Sequence, residues 1–111
     1  MTSRKAWVRL CGLLALLALV ACGDKEGESK ASIHIDNFTF TPRDITVKRG
    51  TTLTWFNDDD IPHAIAANDK TFRSKAMDTE QKFAFTFSEA GTYEYFCSLH
   101  PRMQGKVIVK D

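Results

Sequence analysis

The sequence predicts an all-β fold, an antiparallel sandwich or barrel, preceded by an N-terminal segment that is not part of it. From Ile33 onward, apolar residues alternate with polar ones or form short apolar runs, which is the pattern of β-strands. Turn residues interrupt these runs at short intervals, and no segment shows a long helical period. Short strands at this spacing are typical of antiparallel sandwiches and barrels.

Each expected strand contains a pair or trio of alternating apolar side chains. In chain order these are Ile33 and Ile35, Phe38 and Phe40, Ile45 and Val47, Leu53 and Trp55, then Phe83, Phe85 and Phe87, followed by Tyr93 and Tyr95, and finally Val107 and Val109. Turns are expected between them, for example at Arg49-Gly50 and Ala90-Gly91. The acidic run Asp58-Asp59-Asp60 is expected to be a solvated turn, because a calcium loop would need more ligands at defined spacing.

Residues 1–21 have the composition of a targeting segment. Arg4, Lys5 and Arg9 form a positive region, and an apolar stretch from Leu10 to Val20 follows that is short for a transmembrane helix. The stretch ends in Leu19-Val20-Ala21-Cys22, which resembles the bacterial lipoprotein signal, in which the Cys is lipidated and becomes the new N-terminus. A plain secretory signal is the alternative, but a spare Cys in an exported protein favours lipidation.

The remaining chain divides into a tether and one domain. Residues 22–31 are polar and free of aromatic side chains, which predicts a flexible tether to the lipid. Residues 32–111 are long enough for a single domain. We therefore expect a monomer outside the cytoplasm, in the periplasm or at the cell envelope, held to a membrane by lipidated Cys22.

The charge balance argues against a nucleic-acid partner. The chain has 15 basic and 14 acidic residues, and three of the basic ones lie in the leader. Residues 22–111 therefore keep 12 basic and 14 acidic residues, a formal net charge of −2. Proteins that bind nucleic acids usually have a clear basic excess.

The strongest chemical signal is the run from Cys97 through His100 to Met103, in which a thiol, an imidazole and a thioether recur at every third residue. Strand patterns flank the run on both sides, so these side chains are expected on one short loop that aims them at a common point. Since Cys22 carries lipid, Cys97 has no disulfide partner in residues 22–111, and a lone thiol in an oxidising compartment is usually protected by burial or by a metal.

A fourth ligand must come from another segment. His63, which follows Ile61-Pro62, is the candidate, while His34 is expected to be a partly exposed strand residue. Each of the four residues, taken alone, would more often be a packing or surface residue, but their clustering favours a metal site.

The ligand set points to copper. Soft sulfur ligands favour copper(I), and two imidazoles, a thiolate and a distant thioether form the blue-copper arrangement. Zinc is the competitor, but structural zinc sites usually have paired Cys spacing and rarely use Met.

The segment from Gly91 to Val107 closely resembles the copper loop of the plastocyanin/amicyanin group of cupredoxins. Upstream, Phe38-x-Phe40-x-Pro42, Gly50, Thr54-Trp55-x-Asn57 and Pro62-His63 also fit that family. The resemblance implies an eight-stranded antiparallel Greek-key β-sandwich, with one type 1 copper ion held by His63, Cys97, His100 and Met103. It also implies an electron carrier that works with redox partner proteins and docks them at Pro62, Leu99 and Pro101.

Two positions depart from the family pattern. Ala64 replaces an Asn whose side chain ties the two ligand segments together in many members, which implies a looser site or a different potential. Arg102 replaces an aromatic residue at the docking face, and a cation there favours an acidic partner.

Three functions remain open from the sequence. The leading one is a single-electron carrier, and the alternative is a periplasmic copper chaperone or copper sink that delivers copper to a client oxidase with the same ligands. An enzyme is disfavoured, because four protein ligands leave no open coordination position for a substrate.

Overall fold

The computed structural model describes residues 29–111, which form eight β-strands and no helix. The strands are β1 (Lys30–Asp36), β2 (Thr39–Thr41), β3 (Asp44–Lys48), β4 (Thr51–Asn57), β5 (Ala66–Ala67), β6 (Lys82–Phe87), β7 (Gly91–Cys97) and β8 (His100–Lys110). This part of the chain accordingly offers no helical segment that could span a bilayer. The predicted leader, the lipidation site Cys22 and residues 22–28 of the predicted tether lie outside the described residues.

The eight strands form two four-stranded sheets, which confirms the predicted all-β sandwich. One sheet has the order β2-β1-β4-β6 and the other has the order β3-β8-β7-β5. Both sheets are mixed, because β1 pairs with β4 in parallel and β3 pairs with β8 in parallel. The predicted antiparallel pairing is found in four of the six strand pairs, and the other two pairs are parallel. An alternating pattern reports which face is buried, but it carries no information about the direction of the neighbouring strand.

The first strand begins two residues before the expected start of the domain. Lys30 and Ala31 pair with Thr52 and Leu53 of β4. The backbone N–H of Thr52 also donates to the carbonyl of Ser29 at 3.1 Å. Main-chain pairing thus extends the sheet into residues whose side chains gave no strand signal.

The core lies between the inner faces of the two sheets. Along β4, every second residue is buried, and Leu53 and Trp55 are fully inaccessible to solvent. Tyr95 of β7 and Val107 of β8 face them from the other sheet. Burying a side chain of this size contributes about 1.5 to 3 kcal/mol relative to leaving it exposed, so these few residues supply much of the stability.

Phe72 completes this core from outside the strands. It belongs to the connection between β5 and β6, is 4% exposed, and lies against the rings of Trp55 (5.5 Å between centroids) and Phe85 (5.1 Å). Its ring also contacts Phe87 at 5.4 Å. Aromatic pairs at these separations add to the energy of area burial. The long β5–β6 connection is thereby fixed to the sandwich, next to the segment that carries His63.

Candidate metal centre

Three of the four predicted ligands lie on the hairpin formed by β7 and β8. Cys97 is the last residue of β7, His100 is the first residue of β8, and Ser98 and Leu99 form the turn between them. Phe96 pairs with Gln104, whereas the next residue, Cys97, pairs with His100, so residues 101–103 are skipped in the pairing. Such an irregularity bends the strand and redirects its side chains. The ligands thus lie mainly on strand ends and a bulge, with a shorter loop than the sequence predicts.

His63 comes from the connection between β4 and β5. Two backbone hydrogen bonds with Met77, at 2.7 and 3.1 Å, hold its main chain, and its side chain is fully buried. Asn57, also fully buried, braces the same segment from the end of β4. Its amide Nδ2 donates to the carbonyls of Ile61 and Met77, both at 2.9 Å. The position of His63 is therefore determined by a hydrogen-bonded frame and does not depend on a metal.

The donor atoms of His63, Cys97 and His100 converge. Nδ1 of His63 lies 3.7 Å from Sγ of Cys97, and Nδ1 of His100 lies 3.6 Å from the same sulfur. All three ligand atoms lie within 4.8 Å of one another. A point equidistant from three such atoms is roughly 2 to 2.5 Å from each, which is the bonding range of nitrogen and sulfur ligands. The residues present therefore fit a metal ion.

Met103 is buried close to these three residues. It is 6% exposed and belongs to the same core cluster as Cys97. With His100 it also lines a depression on the surface. His63, Cys97, His100 and Met103 thus form a potential copper site. His34, in contrast, is about half exposed and pairs with Asp58 through Nδ1 at 2.6 Å, away from this cluster.

The residue that follows His63 joins the two ligand-bearing segments through its backbone. The N–H of Ala64 donates to Sγ of Cys97 at 3.4 Å, and both groups are buried. The side-chain amide that many family members have at this position is absent from Ala64, but the main-chain donor remains. This main-chain contact connects the segment that carries His63 directly to the sulfur of Cys97.

Asp59 differs from its two acidic neighbours and corrects the prediction of a solvated turn. It is buried, whereas Asp58 and Asp60 are exposed. Its Oδ2 lies 2.9 Å from Nε2 of His63 and accepts the backbone N–H of Phe38 at 3.1 Å. The hydrogen bond from His63, followed by the one from Phe38, holds the pKa of Asp59 below its usual value of 3.8. No sequence pattern distinguishes Asp59 from its neighbours, because the three aspartates are consecutive and chemically identical.

Phe38 also departs from its predicted place in an alternating strand. Asn37 and Phe38 both have left-handed backbone angles, with φ of 52° and 58°, and form the turn between β1 and β2. The turn leaves the side chain of Phe38 half exposed, with its ring edge-on to His100 at 5.0 Å and to His63 at 5.7 Å. Phe40, two residues later, is buried as predicted. Phe38 therefore lies over both imidazoles of the candidate site.

A shallow apolar depression opens above His100. Phe38 and Leu99 are the exposed large hydrophobic residues of the described chain, and both line it. Two further predicted docking residues, Pro101 and Arg102, line it as well. The fourth, Pro62, is exposed next to His63 but does not belong to this depression.

Comparison with known proteins places these features in a family. Residues 9–109 match the sequence model of a family described as "Cupredoxin-like domain". An amicyanin from Paracoccus versutus is 39% identical over 83 residues, which are 70% of this chain and 63% of the relative. An amicyanin from Paracoccus denitrificans is 35% identical, with the same coverage. The chain thus spans somewhat less than two thirds of these two relatives.

Solved structures give the same result. A purple cupredoxin from Nitrosopumilus maritimus superposes with a TM-score of 0.70 at 35% identity, over 72% of this chain and 99% of the other. The crystal structure of the amicyanin from Paracoccus versutus has a TM-score of 0.68 at 38% identity, over 73% of this chain and 81% of the other. The likeness thus extends over nearly all of the residues that the structure describes.

Proposed function

The chain belongs to the cupredoxin family, and we propose that it is a single-electron carrier with one type 1 copper centre that works outside the cytoplasm. The observation that carries this proposal is the convergence of Nδ1 of His63, Sγ of Cys97 and Nδ1 of His100 within 4.8 Å, with Met103 buried close to them. A bound copper ion would supply the one-electron couple, and this combination of imidazole, thiolate and thioether is the set that accepts both of its oxidation states.

The rigidity of two of the ligands, Cys97 and His63, suits an electron carrier. Cys97 is fully buried and receives the N–H of Ala64, and His63 is fully buried and fixed from both its main chain and its ring. Side chains held by packing and hydrogen bonds do not need to rearrange when the charge of the site changes by one unit. A small rearrangement keeps the barrier to electron transfer low.

The site also has one side from which an electron can leave. His63 and Cys97 are inaccessible to solvent, while His100 is half-buried and faces the depression lined by Phe38, Leu99 and Pro101. An apolar surface around the edge of His100 would let a partner approach closely and exclude water. We infer that Leu99, Pro101, Arg102 and Phe38, together with Pro62 beside His63, form the docking face for redox partners.

The closed ligand set favours a carrier over an enzyme. Four donors from the protein leave no coordination position for a substrate, in contrast to catalytic metal sites, which keep one open. No observation favours the copper chaperone or copper sink over the carrier, although its ligands could be identical.

The location rests on the N-terminal sequence. The leader of residues 1–21, the lipid on Cys22 and a tether through residue 31 would hold the domain of residues 32–111 at the outer side of a membrane as a monomer. Because β1 starts at Lys30, the last two residues of the predicted tether belong to the sheet, and residues 22–29 remain to connect the domain to the lipid.

The test of the proposed function is the spectrum of the copper(II)-loaded full-length chain. We expect an intense blue or purple band near ~600 nm, produced by the bond between thiolate and copper that this ligand set creates. Cys97→Ser should abolish the band. Cys22→Ser, which removes a different thiol, should retain it. A band that survives Cys97→Ser, or a loaded wild-type chain without the band, would contradict the assignment.

A further inference from the structure

We propose that Asp59 is a positioning residue of this metal centre: one carboxylate oxygen fixes the ring of His63 with Nδ1 towards Cys97 and holds Phe38 over the two imidazoles. The inference deepens the proposed function, since it concerns the same site. It assigns a role to a residue that the sequence pattern does not separate from its two acidic neighbours.

The first step concerns the proton on His63. An ionised carboxylate only accepts hydrogen bonds, so the 2.9 Å contact with Oδ2 of Asp59 requires that Nε2 of His63 carry the hydrogen. In a neutral imidazole, Nδ1 then has the free lone pair, and it is Nδ1 that lies 3.7 Å from the sulfur of Cys97. Carboxylate partners of metal-binding histidines set the tautomer and the ring orientation in this way.

The second step concerns the rigidity of Asp59 itself. Its backbone N–H donates to Oδ1 of the fully buried Asn57 at 2.9 Å, and its carbonyl accepts the hydroxyl of Thr79 at 2.8 Å. Its second carboxylate oxygen accepts the backbone N–H of Asp60 at 3.0 Å. The main chain of Asp59 is therefore held by its own segment and by Thr79, and its carboxylate is held by the N–H of Asp60, so the residue offers His63 a fixed acceptor.

The third step concerns Phe38. The same Oδ2 that meets His63 accepts the backbone N–H of Phe38. Phe38 has a left-handed backbone, which an aromatic residue adopts only when its surroundings impose it. The hydrogen bond to Asp59 is a contact that stabilises this turn and keeps the ring edge-on to both imidazoles. Oδ2 of Asp59 thus contacts both the buried ligand His63 and Phe38, a residue of the proposed docking face.

The decisive measurement is the tautomer of His63 in the metal-free protein, from the nitrogen chemical shifts of its ring by NMR at mildly alkaline pH. We expect the Nε2–H form in the wild type. Asp59→Asn keeps an acceptor oxygen and should retain that form. Asp59→Ala should lose it, and the proton contacts between Phe38 and His100 should weaken at the same time.

The matched control is Asp60→Asn, which removes an exposed carboxylate one residue away and should leave both the tautomer and the position of Phe38 unchanged. In copper-loaded protein, Asp59→Ala should weaken copper binding about 10- to 100-fold. Asp59→Asn should raise the reduction potential more than Asp60→Asn does, because a buried negative charge stabilises the more positive oxidation state and is less screened by salt.

Two results would overturn the proposal. One is the Nδ1–H form of His63 in the wild type, a measurement that does not depend on any variant folding. The other is a folded Asp59→Ala protein that keeps the wild-type tautomer and the contacts of Phe38. The proposed function fails separately, because it depends on the visible band of the loaded chain, whereas the tautomer is measured without metal.

Discussion

Replacing Gly105 with alanine should destabilise the sandwich, because the added methyl group would overlap the ring of Tyr95. The two residues face each other as a pair on β7 and β8, and a Cβ atom at Gly105 would meet Cζ, Oη and Cε1 of the tyrosine. Tyr95 cannot easily move away. It is 1% exposed, and its ring packs against Phe40 at 4.8 Å and Trp55 at 5.4 Å.

The size of the effect follows from two opposing contributions. Forcing an extra methyl group into a packed core costs about 1 to 3 kcal/mol. Replacing Gly by Ala within a strand recovers roughly 0.5 to 1 kcal/mol of that cost, because the unfolded chain loses conformational freedom. A net loss of up to about 2.5 kcal/mol remains, and in a domain of this size each kcal/mol corresponds to a fall in Tm of about 4 to 8 °C.

A double-mutant cycle, measured by urea unfolding, tests the reason for the loss as well as its size. Tyr95→Ala removes the ring, so Gly105→Ala should cost nothing in that background, and the coupling between the two changes should be at least about 1 kcal/mol. Gln104→Ala, an exposed change on the same strand, should alter stability by less than about 0.5 kcal/mol. If Gly105→Ala costs the same with and without the tyrosine ring, the steric explanation is refuted.

Two further predictions concern charged residues. The hydroxyl of Thr71 and then its backbone N–H hold the pKa of Asp69 below 3.8, so the contribution of Asp69 to stability is present above the unfolded value and is lost as the pH falls through the folded one. Asp69→Ala should therefore lower the free energy of unfolding at pH 7 but not at pH 2, and an equal loss at both pH values would contradict this. Arg102→Glu should slow oxidation of the reduced protein by an anionic complex such as ferricyanide at low ionic strength, and the difference should largely vanish near ~1 M salt, where the screening length is about 3 Å. Equal stopped-flow rates for the wild type and Arg102→Glu at low salt would contradict an electrostatic role of Arg102.

The two sheets show which features of the fold can be predicted from the sequence and which cannot. Alternation in β4 identified Leu53 and Trp55 as buried, because the period of two in a strand is a local property. The parallel pairing of β1 with β4 was missed, because it depends on the chain crossing to the other sheet through β3 in between. Phe72 was missed for a similar reason: it is a single apolar residue in a long connection, and only the assembled sandwich provides its contacts.

The candidate metal site likewise has residues that local sequence predicts and residues that it does not. Cys97, His100 and Met103 lie close in sequence, so one short hairpin can bring them together. Their spacing is therefore enough to predict that they bind the same metal ion. Asp59 and Phe38 have roles that depend on the tertiary structure. The backbone N–H of Asp59 bonds to the side chain of the buried Asn57, and the left-handed backbone at Asn37 and Phe38 places the ring of Phe38 in a turn and not in a strand.

The order of residues on the hairpin limits how the proposed docking face can change. Leu99, Pro101 and Arg102 each lie next to a predicted ligand in the chain, and residues 101–103 form the bulge that directs His100 and Met103. A substitution among them therefore risks moving a donor atom as well as altering the surface. Phe38 lies in a different turn, is half exposed, and contacts the imidazoles only through its ring. We therefore expect substitutions of Phe38 to alter the proposed docking face with the least disturbance of the candidate metal site, as long as Asp59 still accepts the backbone N–H of residue 38.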